Sequence, residues 1–232
     1  MVKYVSTGFP KVVSPKIELP SIEELLLMPF LNNVKIEDAY KYGCEFQKEV
    51  LDKTQFFGKN HIYVQWMITL QTPEISPVIN QYALDKEWHV DGRDTYEEND
   101  FVFHLMVNET TSMTDFNTAE FELDLPSNQT SELISRINME GTKENSLLVP
   151  QTIEPNRIYR FNNNHIHRAK RVTKPEFRFF YRVAETDERM PDDSPDYYSS
   201  FVFHGDRSPI SNVKQFSKDG FINKVEFYGK YQ

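Results

Sequence analysis

The residues of this chain whose types and spacing could do chemistry are His89 and Asp91, within Trp88-His89-Val90-Asp91, followed far downstream by His167 and Arg178. In a strand, residues i and i+2 share a face. A His-x-Asp at a strand end therefore aims an imidazole nitrogen and a carboxylate oxygen at one point. A second imidazole from another strand completes a set of two His and one carboxylate. That set holds one face of a non-haem Fe(II) ion and leaves the other open for a co-substrate and O2.

A His-x-Asp by itself is weak, and the chain carries a second copy, His204-Gly205-Asp206. An isolated copy reads as a surface loop. What separates the two is their sequel. After Asp91 comes Arg157-Ile-Tyr-Arg-Phe-Asn-Asn-Asn-His-Ile-His-Arg-Ala169, which places histidines at a strand-turn boundary, and then Arg178. No histidine follows His204, so that copy is set aside as a decoy. His165 and His167 compete for the third ligand position. Arg178 and Arg182 are the candidates for binding a carboxylate, because a guanidinium offers a planar fork that fits one. Even spacing puts Arg178, Phe180 and Arg182 on one strand face and Phe177, Phe179 and Tyr181 on the other. The plain reading of Arg182 is an exposed strand end.

The order His-x-Asp, distal His, then Arg resembles the 2-oxoglutarate- and Fe(II)-dependent dioxygenases, over roughly residues 78–184. The likeness is to prolyl-hydroxylase-like and phytanoyl-CoA-hydroxylase-like members. Ser112-Met-Thr-Asp-Phe116 stands about where prolyl-hydroxylase-like members carry Gly-Gly-x-Thr-x-Phe, with both glycines missing here. Tyr82 sits near a tyrosine that contacts the co-substrate in such members. The resemblance implies His89, Asp91 and His167 as iron ligands, with His167 preferred over His165 on spacing. It implies Arg178, Tyr82 and Thr114 around 2-oxoglutarate. His165, Trp88, Arg182 and Asn164 would then lie behind the ligands or face substrate. The implied reaction consumes O2 and 2-oxoglutarate, releases succinate and CO2, and oxidises a substrate C–H. Related halogenases replace the carboxylate with Gly or Ala to admit chloride, so Asp91 turns the expectation towards hydroxylation or another hydrogen-abstraction outcome. The implied fold is a double-stranded β-helix.

The elements that must position these residues read independently as mainly β. Residues 1–20 hold Pro10, Pro15 and Pro20 and read as an extended arm. Ser21 with Glu24 forms a capping-box pattern opening a short helix from Ile22 to Met28. Helical spacing of apolar residues predicts a second helix over about 36–53. Short runs rich in Val, Ile, Phe and Tyr follow at 61–70, 78–84, 101–107, 117–125, 157–162, 177–184, 199–204 and 222–228. A short helix is expected at 130–138. Strands after an N-terminal helical layer predict a β-sandwich or jelly roll with the N-terminal helices packed on one face. The acidic, proline-bearing stretch from about 186 to 200 reads as a loop that could cover a site. One domain is expected: arm and helices over 1–55, a catalytic β core over 60–184, and the acidic loop with C-terminal strands over 185–232.

Composition bounds the function. The 232 residues include 18 Phe and 12 Tyr, ample to bury a core, and carry a formal charge of −9. That charge argues against a nucleic-acid partner. The cluster of Arg and Lys over 157–182 is either a strand pair with solvated edges or a local anion site. Cys44 is the single cysteine, which excludes an internal disulfide and argues against a thiolate zinc site. It reads as packing on a helix. No apolar run approaches a membrane span, and the expectation is a cytoplasmic protein. The function expected is hydroxylation of a small molecule, an amino acid or metabolite. A peptidyl or protein hydroxylase is the alternative within the class, and a cupin-like binding protein without oxygenase activity is the alternative outside it. Homodimerisation is left open.

Overall fold

The structure is a computed structural model that describes residues 2–28, 34–71, 88–95, 100–170, 172–188, 198–204, 209–217 and 220–223. It is mainly β, with antiparallel sheets and few helices. In chain order the elements are β1 (Val2–Thr7), β2 (Lys11–Val12), α1 (Ile22–Leu27), β3 (Val34–Lys35), α2 (Ile36–Tyr42), α3 (Glu45–Asp52), β4 (His61–Gln71), β5 (Val102–Val107) and β6 (Thr114–Asn117). There follow β7 (Glu120–Leu125), α4 (Thr130–Gly141), β8 (Pro150–Thr152), β9 (Tyr159–Asn162), β10 (His167–Ala169), β11 (Glu176–Thr186), β12 (Tyr198–His204), β13 (Pro209–Ser217) and β14 (Gly220–Asn223). The strand expected at 78–84 and most of the 186–200 loop lie outside the described residues.

A large sheet has the order β14-β13-β12-β4-β11-β5-β9-β2, with β3 also paired to β4. A small sheet has the order β10-β6-β8, and β1 pairs with β7. Strand β11 is the axis of the large sheet, antiparallel to β4 along one edge and to β5 along the other. Its odd residues Phe179, Tyr181 and Val183 join Trp66, Met106, Leu25, Ala39, Val50 and Leu51 in one buried cluster. Helices α1 to α3 therefore cover the outer face of that sheet. A second cluster, with Phe103, Leu105, Val107, Phe116, Tyr159 and Phe161, joins residues of β5, β6 and β9, with Phe180 and Ala184 of β11 against it. A third joins Tyr4, Leu123 and Leu125 of the β1-β7 pair to Leu133 and Ile137 of α4 and to Trp88 and Val90. The N-terminal helices α1 to α3 thus share one face as expected, and helix α4 belongs to a different layer.

Local chemistry explains where the elements begin and break. Ser21 and Glu24 make both halves of the capping box, at 3.3 and 2.9 Å. The helix expected over 36–53 is two helices, because Gly43 is extended at φ −66°, ψ 157°. A Cβ there would lie 2.3 Å from the Ala39 carbonyl oxygen, so the bend needs a residue without one. Cys44, at the start of α3, is half-buried against the helix-facing cluster. The run expected over 117–125 is one strand, β7, starting at Glu120; Asn117 instead ends β6. The Asn117 side chain binds the Ala119 main chain on both sides, Nδ2 to its carbonyl at 2.7 Å and Oδ1 from its N–H at 3.3 Å. A side chain that takes up neighbouring backbone groups ends the ladder, and the chain passes from β6 in the small sheet to β7. The N-terminal arm is partly strand. Val2–Thr7 pairs with β7 from Val2↔Leu125 to Thr7↔Glu120, and Tyr4 is fully buried. Among the described residues no helix is long and apolar enough to cross a membrane.

The far end of β11 is anchored by a buried pair. Glu185 Oε1 lies 2.6 Å from His104 Nε2, and neither side chain has any exposure. The same carboxylate accepts the N–H groups of Phe57, Gly58 and Lys59 at 2.6, 2.8 and 3.2 Å, tying the loop after α3 to the sheet. Burial pushes the Glu185 carboxyl up, but His104 and these N–H groups outweigh it and hold it at about 2. Its folded-state value lies below the ordinary 4.5, so its stabilisation is present above that pH and is lost as pH falls towards about 2. Glu185→Ala is expected to cost about 3–5 kcal/mol in chemical denaturation at neutral pH. Most of that difference from the parent chain should disappear between pH 4.5 and 2. A loss below 1 kcal/mol, or one independent of pH, would contradict this account.

Candidate metal centre

The small sheet is extended at one edge by residues 88–91. His89 and His167 form an isolated antiparallel bridge, each N–H donating to the other's carbonyl at 2.9 Å. Alternation then sorts the neighbours. Trp88 and Val90 turn outward into the cluster with α4. His89 and Asp91 turn inward beside His167, their ligand atoms all within 4.8 Å of one another. The two imidazole rings lie 4.3 Å apart, and His167 Nε2 is 3.8 Å from Asp91 Oδ2. His167 Nδ1 lies 3.1 Å from the His165 carbonyl oxygen. That contact assigns the ring proton to Nδ1 and leaves the Nε2 lone pair for a metal. Phe116 stacks on the His167 ring at 5.0 Å and Phe161 meets it edge-on at 5.1 Å, which fixes its plane.

Electrostatics keep His167 and Asp91 in ligand form. Burial pushes His167 down to about 3, with His89 acting the same way and Asp91 opposing. Burial pushes the Asp91 carboxyl up, yet the Arg182 guanidinium and the two imidazoles outweigh burial and hold it at about 2. A neutral imidazole and an ionised carboxylate are the states a divalent metal requires.

The other edge of the 88–95 segment is held by a helix in place of a strand. Asn138 of α4 accepts the Trp88 N–H at 3.1 Å and returns a bond to the Trp88 carbonyl at 2.7 Å. Its carboxamide reproduces the donor-acceptor pair of a neighbouring strand. About two turns earlier, the Thr130 hydroxyl donates to the Arg93 carbonyl and its N–H to the Asp94 carbonyl at 2.7 Å. Gly141 ends the same helix where a Cβ would lie 3.5 Å from Trp88 Cδ1. On the outward side Arg168 stacks over the Trp88 ring at 4.3 Å and pairs with Asp115 Oδ2 at 3.3 Å, while Thr152 donates to Asp115 Oδ1 at 2.7 Å. None of Asn138, Thr130 or Asp115 was indicated by the sequence; no motif marks a helix side chain that caps a strand edge.

Strand β11 supplies the cationic wall. Arg178 is 8% exposed and donates to Thr114 Oγ1 of β6 at 3.0 Å, a bond that spans the two sheets. Among the described residues it has no carboxylate partner, and its Nε has no partner at all. Burial pulls its guanidinium down only to about 10, so it is charged at neutral pH. Arg182 is not the exposed strand end expected of it. Its Nη1 donates to Asp91 Oδ2 at 3.1 Å. The reason is register: Arg182 lies on the same face as Arg178 and is carried to the metal-facing side of the sheet.

The remaining sequence candidates fall away from the triad. The His165 ring is held by Asn162 Oδ1 at 2.8 Å and by the Thr7 hydroxyl at 3.3 Å, so its contribution is its main-chain carbonyl. Burial pushes that ring down to about 4. Asn164 belongs to the same turn, its N–H bonded to Asn162 Oδ1 at 3.0 Å and its carbonyl accepting from Thr7 N at 3.0 Å. Trp88 is core, not site lining. Tyr82 and Asp206 lie outside the described residues.

Comparison with known proteins finds no family model that matches the chain, no curated protein similar to it and no solved structure similar to it.

The double hold on residues 88–95 makes Asn138 a positioning residue for the triad. Asn138→Leu keeps the bulk but leaves the Trp88 main chain unpaired on that side. Its affinity for Co(II), titrated by visible absorbance, is expected to fall about 10–100-fold. Unchanged Co(II) affinity would remove the helix from the support of the metal ligands.

Proposed function

We propose that the chain is an Fe(II)- and 2-oxoglutarate-dependent oxygenase that hydroxylates a C–H of a small molecule, an amino acid or metabolite, with O2 consumed and succinate and CO2 released. The observation that carries this reading is Arg178. A buried guanidinium with no carboxylate partner among the described residues is costly unless a ligand anion completes it. It sits on the sheet face that also presents Arg182 to Asp91 of the triad.

The residues fit the groups the reading requires. Two nitrogen donors and one carboxylate suit a divalent first-row metal and leave part of its coordination open. His89, Asp91 and His167 would hold Fe(II), and Arg178 with Thr114 would hold the far carboxylate of 2-oxoglutarate. When bound, the iron and the keto acid together supply the oxidising power from O2; the protein binds, orients and excludes side reactions. The Arg178 fork and the Thr114 hydroxyl give a carboxylate both charge and direction. Phe116 and Phe161 keep the face behind His167 apolar. The finer fold reading belongs to the same proposal. A three-stranded sheet carrying the distal His, bridged to the His-x-Asp segment and bonded across to the Arg strand, supports a double-stranded β-helix.

Three outcomes test this. Anaerobic addition of Fe(II) and 2-oxoglutarate is expected to produce a weak visible charge-transfer band and to raise the thermal midpoint. Absence of both would leave a cupin-like binding protein as the better reading. Arg178→Met is expected to weaken 2-oxoglutarate binding about 100-fold while metal binding persists, the loss usual for one partner of a buried charge pair. Asp91→Ala is expected to abolish substrate-dependent succinate release; full turnover in that variant would exclude Asp91 from the ligand set.

A further inference from the structure

We propose that Arg182 is a recognition point for a substrate carboxylate, so that the substrate class of this site is small organic acids, amino acids among them. The inference rests on the oxygenase reading and names the substrate chemistry of that same site.

Arg182 spends little of its hydrogen-bonding capacity on the protein. A guanidinium has five N–H donors, and among the described residues only the Nη1 bond to Asp91 Oδ2, at 3.1 Å, is recorded. The side chain is 32% exposed, unlike Arg178 on the same strand face. Its guanidinium carbon lies 5.7 Å from the Phe103 ring and 6.0 Å from the Phe180 ring. Aromatic contacts of that kind orient a planar cation and leave its donor edge open.

Charge balance points the same way. The described acids nearby are already committed elsewhere: Asp115 to Arg168, Asp100 to Lys59 and Arg93, Glu185 to His104. Among the described residues, two guanidinium groups and a bound divalent metal would thus face one carboxylate, Asp91. A bound 2-oxoglutarate dianion removes most of that excess and leaves one net positive charge. An uncompensated charge beside the buried Arg178 is costly. The group that balances it is an anion on the third molecule to bind. A carboxylate matches the planar fork, and Arg182 can bridge it to Asp91 without releasing Asp91.

The competing role is that Arg182 only holds Asp91 in place. The full chain, loaded anaerobically with Co(II) and 2-oxoglutarate, separates the two when titrated with acetate and with acetamide. Acetate alone is expected to perturb the visible Co(II) spectrum and raise the thermal midpoint. In Arg182→Gln the apparent acetate affinity is expected to fall about tenfold or more, as for loss of a charge-assisted fork, with Co(II) and 2-oxoglutarate still bound. Should that variant not fold, Arg182→Lys, which keeps the charge without the fork, is expected to show the same selective loss. An acetate-insensitive parent chain, an equal response to acetamide, or an unaltered acetate response in the variants overturns the proposal. Loss of Co(II) binding in the variants also overturns it, assigning Arg182 to the support of Asp91. Failure of the parent chain to bind Co(II) or 2-oxoglutarate is a different result, and removes the oxygenase reading with it.

Discussion

Two backbone hydrogen bonds, His89 N–H to the His167 carbonyl and His167 N–H to the His89 carbonyl, organise this site. They join segments that are distant in sequence, and they set the register of both. With the register set, pleating decides the rest. Trp88 and Arg168 meet on the outer side, the two imidazoles and Asp91 on the inner side. A slip of one residue would exchange the faces and put tryptophan and valine where the ligands are. The supports are arranged against such a slip: Asn138 and Thr130 of α4 on the free edge of the segment, and the β6 ladder behind β10.

The site is cation-rich inside an acidic chain. Strand alternation disperses the Arg- and Lys-rich stretch 157–182 instead of gathering it into one patch. Arg157 pairs with Glu154, Arg160 lies over Phe57, and Arg168 is divided between Trp88 and Asp115. Among the described residues of the stretch, Arg178 and Arg182 turn towards the triad side of the large sheet. The anion site is proposed at these two residues, apart from the arginines paired along the strand edges. Arg178 is the desolvated one of the two, and there a charge without a partner matters energetically.

Burial is organised in layers around that site. One cluster seals the outer face of the large sheet under α1 to α3, another fills the space between β5, β6 and β9, and a third lies under α4. The His104–Glu185 pair and its three backbone donors close one end of β11, and the Arg178–Thr114 bond links β11 to the small sheet. The strand that carries both arginines is therefore held along both edges and across to the facing sheet, which makes its side-chain directions dependable as recognition elements.

Much of this was legible in the residues. Alternation and β-branched or aromatic runs announced β4, β5, β9 and β11, and Ser21 with Glu24 announced α1, because these signals act between near neighbours in the chain. The His-x-Asp announced a pair of groups that could hold a metal for the same reason: strand pleating relates i to i+2 wherever the strand lies. The breaks at Gly43 and Asn117 were hidden in runs of correct periodicity, since they follow from what the chain must pack against on either side. The pairing of β1 with β7, the placement of α4 in a separate layer, the hold of Asn138 on Trp88 and the contact of Arg182 with Asp91 came only from the tertiary structure. Each depends on register between segments far apart in sequence. The sequence by itself determined which groups could bind a metal and an acid; the tertiary structure decided which of them face one another.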